Sequence, residues 1–367
     1  MKEFFGKITN QYVNELPFVV YKKPNEETVD AIFQSDTTIN YVKDYSESGF
    51  VFAPFDSAEK TIVIPFDAMV TTIYNQKEIT THHTDVQYDL SAKKQHVALI
   101  KKGISAITQT HLRKVVLSRV EEVATNNNCP ITFFKRALAE YKNAFVYLWY
   151  HPKVGCWLGA TPEVLLKTRN NKFKTMSLAG TQVFNDAVTW ERKEQEEQQI
   201  VTDYITDSLG SENIQFNIGA PYTVKAGHLA HIRTDIEGRI NSEQGTNNLK
   251  RLLSVLHPTP AVCGLPKEEA KTFILKNELY KRKFYSGFLG ELNKVYKRKN
   301  NRRNTENNAY RQSTTSSNLY VNLRCMEFKK DGVNIFVGGG ITASSDPEKE
   351  FVETCNKTKT MKKLIIS

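Results

Sequence analysis

Residues 338–357 read GGGITASSDPEKEFVETCNK, and the chemistry of the chain is concentrated here. The apolar run Val333–Val337 predicts a strand, and the three glycines after it predict that the strand ends in backbone able to lie against a ligand, its N–H groups facing an anion. Ser345, Asp346 and Pro347 predict a helix start, because Ser or Asp caps a helix and Pro tolerates its first position. Glu350 and Glu353 are three apart and Lys357 four further on. All three therefore share one helix face, with neighbouring Cβ atoms about 5–6 Å apart. Two carboxylates and an ammonium beside a glycine nest suit a magnesium ion with hard oxygen ligands, next to an anionic substrate whose own carboxylate completes the shell. A solvated amphipathic helix would show the same spacing.

Outward from this stretch, the 367 residues are 40% hydrophobic and 25% charged, enough to bury a large core and unlike a disordered chain. No run approaches the roughly 18 apolar residues that span a bilayer, and the opening MKEFFGKITNQY is unlike a signal peptide. A cytoplasmic monomer with no membrane partner is expected. Cys129, Cys156, Cys263, Cys325 and Cys355 form no CxxC pair and read as reduced thiols. The net charge of +10 is largely local, since Lys294–Arg311 holds seven basic residues and one acid. Polar and Asn-rich, residues 294–318 predict a loop insertion between two strands. No RNP-like strand or helix-turn-helix pattern accompanies it, so no nucleic-acid partner is expected.

Residues 1–90 alternate short apolar runs (PFVVY, GFVFAPF, TIVIPF, MVTTIY) with turn residues, which predicts a strand-rich N-terminal part of the same fold as residues 91–367. His82 and His83 fall in a polar stretch expected to be a surface loop. A helix from Ser91 to about Thr110 delivers the chain to the buried strand KVVLSRV, with Lys114 at its mouth. A lysine there is either a snorkelling end residue or, fixed in a cleft, a base. Glu163, in GATPEVLL, lies between a Gly/Pro turn and an apolar strand, where a carboxyl either pairs with a cation or acts as an acid with a raised pKa. FKTMSLAGT predicts a strand running into a turn at Gly180, with room for a ligand. In the charged helix expected over 189–209, Glu197 is the acid best placed on the inward face. HLAHIRTDIEG reads as a strand, so His228 and His231 lack the helical spacing of a zinc site, though His231 can contact substrate. The Pro/Gly-rich HPTPAVCGLP is expected to shape a pocket, and Arg324, in the strand LYVNLRCMEF, to fork onto a carboxylate.

Taken together, KVVLSR, GATPE, LAGT, LLHPTPA, LRC and GGGITASSDPEKEFVETCNK resemble the chorismate-binding enzymes, most closely isochorismate synthases, over roughly residues 90–365. The resemblance implies a two-lobed α/β (α+β) fold like that of anthranilate synthase component I, with large antiparallel sheets flanked by helices and the active site between them. It implies magnesium held by Glu197 and Glu353 with Glu350 close by, and chorismate held by Arg324, Lys357, Gly340, Gly180 and His231. Lys114 matches the base that activates water and Glu163 the acid that protonates the departing hydroxyl. Departures are the helix ERKEQEEQQIV, which lacks the usual Arg and Glu-His and leaves the register among Glu194, Glu196 and Glu197 open, and the basic 294–318 insertion.

Within the family, amine-adding members replace the water-activating lysine, and aminodeoxychorismate synthases carry a nucleophilic lysine where this chain has Ala179. Both differences imply water as nucleophile: chorismate to isochorismate, hydroxyl added at C2 and lost from C4, for menaquinone, siderophore or salicylate formation. Salicylate synthase shares these residues and adds pyruvate elimination. From another class, a basic RNA-binding protein on a decayed enzyme fold is disfavoured by the intact Lys114, Glu163, Glu197 and Glu353 set.

Overall fold

A computed structural model describes residues 1–74, 90–125, 129–185, 187–226, 229–240, 248–296 and 313–365. His82, His83 and His228 lie outside the described residues, as does most of the 294–318 segment. The chain begins with α1 (Lys2–Val13), β1 (Phe18–Lys22), β2 (Thr28–Phe33), β3 (Gly49–Ala53), β4 (Ile62–Pro65), β5 (Ala68–Ile73) and α2 (Leu90–Gln109). Next come β6 (Lys114–Ala124), α3 (Pro130–Glu140), β7 (Phe145–His151), β8 (Gly155–Thr161), β9 (Val164–Arg169) and β10 (Lys172–Val183). Then follow α4 (Arg192–Ser211), β11 (Gln215–Ile218), β12 (Tyr222–Ala226), β13 (Leu229–Arg239), α5 (Asn248–Leu256), β14 (Gly264–Leu265) and α6 (Lys267–Asn277). The chain closes with β15 (Phe288–Tyr296), β16 (Thr314–Val321), β17 (Cys325–Lys329), β18 (Gly332–Ile341) and α7 (Pro347–Lys362).

The strands form two antiparallel sheets, in the orders β14-β6-β18-β17-β8-β7-β1-β2-β5 and β11-β13-β10-β9-β16-β15-β3-β4, with β12 also on β13. Between them lies an aromatic core in which Phe52 of the second sheet stacks on Phe284 at 4.1 Å and 11°. Trp149 and Trp157 of the first sheet pack around the same pair, at 4.9 and 6.0 Å from Phe52. Offset and edge-on rings of this kind exclude water and add about 0.5–1.5 kcal/mol per pair beyond area burial. The outer faces are covered by helices: α1 and α3 bury Phe4, Phe5, Phe133 and Phe134 against the first sheet, and α4 and α5 bury Val201, Ile205, Leu252 and Leu253 against the second. Among the described residues no helix is long and apolar enough to cross a membrane.

The N-terminal segment holds the five strands β1–β5, opens with a helix, α1, that the sequence does not announce, and in β2 the alternation is broken by the buried Asp30. Two expectations are corrected. Strand pairing reaches further into the basic segment than expected, with Lys294↔Ser316 and Tyr296↔Thr314 in register, so the connection between β15 and β16 is shorter than 294–318. The three glycines do not end their strand. Gly338, Gly339 and Gly340 pair with Ser118, Leu117 and Val116, so alternate N–H groups belong to the ladder and no free nest of consecutive donors forms.

Candidate active site

The carboxyl ends of β8 and β18, the first turns of α4, the bulge in β10 and one face of α7 meet at a cleft with about 1150 Å³ of empty space, part of it open to solvent. Nine of the ten residues singled out from sequence line it: Glu163, Gly180, Glu197, His231, Arg324, Gly340, Glu350, Glu353 and Lys357. Lys114 stands behind them, fully buried, its Nζ donating to Glu197 Oε1 at 2.8 Å.

The glycines permit this closeness. A Cβ on Gly340 would meet Glu197 Oε1 at 2.7 Å and Lys114 Cε at 2.9 Å, and one on Gly338 would meet Tyr285 Oη at 3.0 Å. Gly180 has φ +70 and sits at the irregularity between Ala179 and Gln182, inside β10 and not at a turn that ends it. Its carbonyl is turned to His231. Arg324 likewise lies between β16 and β17 at φ +48, outside the strand in which it was expected.

Asp346 caps α7 by accepting from the amides of Glu348 and Lys349 at 2.9 and 3.0 Å, while Ser345 donates to Glu350 Oε1 at 2.7 Å. One turn along, Lys357 pairs with Glu353 at 2.7 Å and donates to the Gly338 carbonyl at 2.9 Å. Across from them, Lys193 of α4 reaches Glu350 at 3.2 Å. Three glutamates at the cleft are thus each held by a lysine: Glu197 by Lys114, Glu350 by Lys193 and Glu353 by Lys357. Among the described residues no three acidic, histidine or cysteine side chains are grouped to hold a cation between them. Glu194, one turn before Gln198, also lines the cleft, and its Oε2 is buried with no hydrogen-bond partner. The sequence reading left Lys193 unassigned and treated Glu194 only as an alternative register. Their separations of four and three from Glu197 place them on its helix face, and that spacing was the available signal.

Burial governs the protonation states. It pushes the Glu163 carboxyl up to about 8 against the opposing charges of Arg324 and Lys114. Burial also raises Glu197, but Lys114 and Lys357 outweigh it and its pKa is lowered. Glu350 is raised, by burial first and by the charge of Glu353 second. His231 is pushed down to about 3 by burial and by Arg324. Its tautomer follows from its partners. Nδ1 lies 3.0 Å from the Gly180 carbonyl, which only accepts, and Nε2 lies 2.8 Å from the Arg324 guanidinium, which only donates. His231 is therefore neutral with its proton on Nδ1, joining the β10 bulge to Arg324. A neutral acid, the buried Lys114, the cations Lys193, Arg324 and Lys357, and four further glutamates in one cleft can perform acid–base chemistry on a small anionic molecule.

Residues 56–298 match a family model described as chorismate binding enzyme, and residues 309–363 match a second model of the same description. Isochorismate synthase EntC of Escherichia coli (strain K12) is 27% identical over 272 residues, which cover 70% of this chain and 63% of that protein. The match thus spans less than two thirds of that relative. The menaquinone-specific isochorismate synthase MenF from Escherichia coli superposes with a TM-score of 0.73 at 20% identity, over 95% of this chain and 88% of that one. Anthranilate synthase component I from Streptococcus pneumoniae superposes with a TM-score of 0.66 at 16% identity, over 94% and 92%. At these identities the structural likeness establishes the fold, and the expected two-sheet architecture is the one observed.

Proposed function

Because the chain belongs to the chorismate-binding enzyme family, we propose that it is a magnesium-dependent isochorismate synthase, adding hydroxyl at C2 of chorismate and releasing it from C4. The observation that carries this reading is the buried Glu163 carboxyl, whose pKa of about 8 keeps it protonated at neutral pH in the same cleft as Lys114. A departing hydroxyl needs such an acid, and a base must take the proton from the attacking water. Lys114 is assigned that second role. Its amine donates to Glu197, and a neutral amine can keep that bond through one N–H while its lone pair takes the proton from water. Ala179, at the cleft wall, offers no amine that could attack the ring in place of water.

Arg324 and Lys357 are assigned to the substrate carboxylates, with His231 and Gly180 setting the position of Arg324. Glu194 and Glu197 of α4 and Glu350 and Glu353 of α7 all line the cleft; Lys114, Lys193 and Lys357 hold three of them, and the unpartnered Glu194 Oε2 is the donor that fits a magnesium ion. Glu197 and Glu353 would hold the ion, with Glu350 beside it. Bound there, magnesium would neutralise charge and orient a substrate carboxylate. The test is product analysis by NMR after incubation with chorismate, with and without magnesium. Isochorismate that appears only with magnesium is expected. Salicylate plus pyruvate would make the protein a salicylate synthase, and no turnover by folded protein would remove the enzymatic reading.

A further inference from the structure

On the side of β6 that faces away from β18, the strand pairing among the described residues is limited to Gly264 and Leu265 of β14, opposite Val115 and Lys114. Beyond them its backbone groups find other partners. The Val116 amide donates to the Cys263 carbonyl at 2.8 Å. The Val116 carbonyl accepts from Arg282 Nη2 at 2.7 Å, and the Ser118 amide donates to Glu278 Oε1 at 2.8 Å. Arg282 and Glu278 are joined to each other by two bonds, of 2.8 and 2.6 Å, and each side chain is 2% exposed. Arg282 Nη1 also donates to the Val262 carbonyl at 2.9 Å, in the Pro-rich segment at the cleft wall. Stacking on Phe55, with the guanidinium carbon 4.5 Å from the ring centre, fixes the plane of the fork.

We propose that the Arg282–Glu278 ion pair is a positioning device that stands in for a missing neighbour strand, locking the edge of β6 that carries Lys114 to the Val262 wall. The inference rests on the isochorismate synthase reading for its catalytic consequence, but not for its structural one. Val116 and Val262 both line the cleft, and Lys114 is two residues from Val116. A buried ion pair as such contributes little net stability, but replacing this one by an apolar pair also removes the partners of the Val116 and Val262 carbonyls and of the Ser118 amide. Arg282 makes four bonds at once, two to Glu278 and one to each of the Val116 and Val262 carbonyls, more than the three N–H groups of an ammonium could replace. Displacing reacting groups by about 1 Å can cost about 10²-fold in rate.

The test compares the parent with Arg282→Met/Glu278→Leu, and with Glu278→Gln as a milder variant that keeps an acceptor for Ser118. Expected for the double variant are a retained fold with a lowered melting temperature, since three backbone groups lose these partners, a kcat reduced at least about tenfold, and a KM changed much less. Arg282→Lys should not restore kcat, because three N–H groups cannot replace the four bonds Arg282 makes to Glu278 and the two carbonyls. Amide exchange in the β6 peptide should accelerate in both Arg282→Met/Glu278→Leu and Glu278→Gln. Parental kcat together with parental β6 exchange in a folded double variant would overturn the proposal. Should the double variant fail to fold, unchanged β6 exchange and kcat in Glu278→Gln would overturn it equally. A parent that turns over no chorismate would count against the isochorismate synthase reading, and the exchange comparison would still decide whether the pair locks β6.

Discussion

At Glu163 the cost of burying a carboxylate exceeds the attraction of two nearby cations, and that imbalance has consequences for both rate and stability. Its pKa in the folded protein, about 8, lies above the ordinary 4.5, so its contribution to stability is full below about pH 4.5 and is lost as pH rises through about 8. Glu163→Gln should therefore melt higher than the parent at pH 7 to 8 and converge with it below about pH 4.5, as read by calorimetry across pH. The same substitution should reduce turnover by about 10²- to 10⁴-fold, the usual worth of one proton transfer. Parental turnover should decline as pH rises past about 8, where the acid is lost. At Gly340 the constraint is steric, since an added methyl would lie 2.7 Å from Glu197 Oε1 and 2.9 Å from Lys114 Cε. Gly340→Ala should give a folded protein, judged by its melting curve, in which turnover is reduced at least tenfold on the order of a misplaced reacting group.

At the scale of elements, α7 was legible because its cap, its proline and its charged face all point the same way. Asp346 caps, Pro347 opens the helix, and Glu350, Glu353 and Lys357 face one cleft. The elements that escaped sequence reading lacked such agreement. α1 contains Gly6 and the β-branched Ile8, Thr9 and Val13, so intrinsic propensity is weak and its helix depends on burying Phe4, Phe5 and Ile8. In β2, Asp30 interrupts the apolar run and is tolerated because Lys23 and Lys294 approach it at 4.0 and 3.7 Å. The glycines of β18 were read as a nest because composition does not reveal which edge of a strand is paired. Hairpin β15–β16 yields a prediction of its own: its Tyr296–Thr314 end supplies no residue to the cleft. Replacing residues 298–311, polar and Asn-rich in sequence, by a short Gly/Ser turn should leave kcat/KM within about twofold. Loss of chorismate turnover in a folded shortened protein would place that segment in the site.

For the molecule as a whole, the two sheets are joined through the aromatic core around Phe52, and the cleft opens where they part. Phe52, on the second sheet, touches the rings of Tyr147 and Trp149 on the first and of Phe284 in the segment before β15. Phe52→Ala should lower unfolding stability by about 3–5 kcal/mol in a denaturant titration, the range for truncating a buried aromatic. Fold and site were legible to different depths for a physical reason. Motifs with fixed local geometry, such as the α7 cap and the strand leading from Lys114, identify what residues can do. Pairings between distant segments, such as Lys114 with Glu197 or Arg282 with Val116 and Val262, depend on how two sheets close and leave no local signal. The central claim is that Lys114 and Glu163 serve the addition of water. It is tested most directly by running the reaction in ¹⁸O-labelled water with magnesium and locating the label by mass spectrometry and NMR. The account predicts isochorismate with one ¹⁸O at C2, formed by the parent and almost not at all by Lys114→Gln. Unlabelled isochorismate, or parental labelling rates in Lys114→Gln, would contradict it.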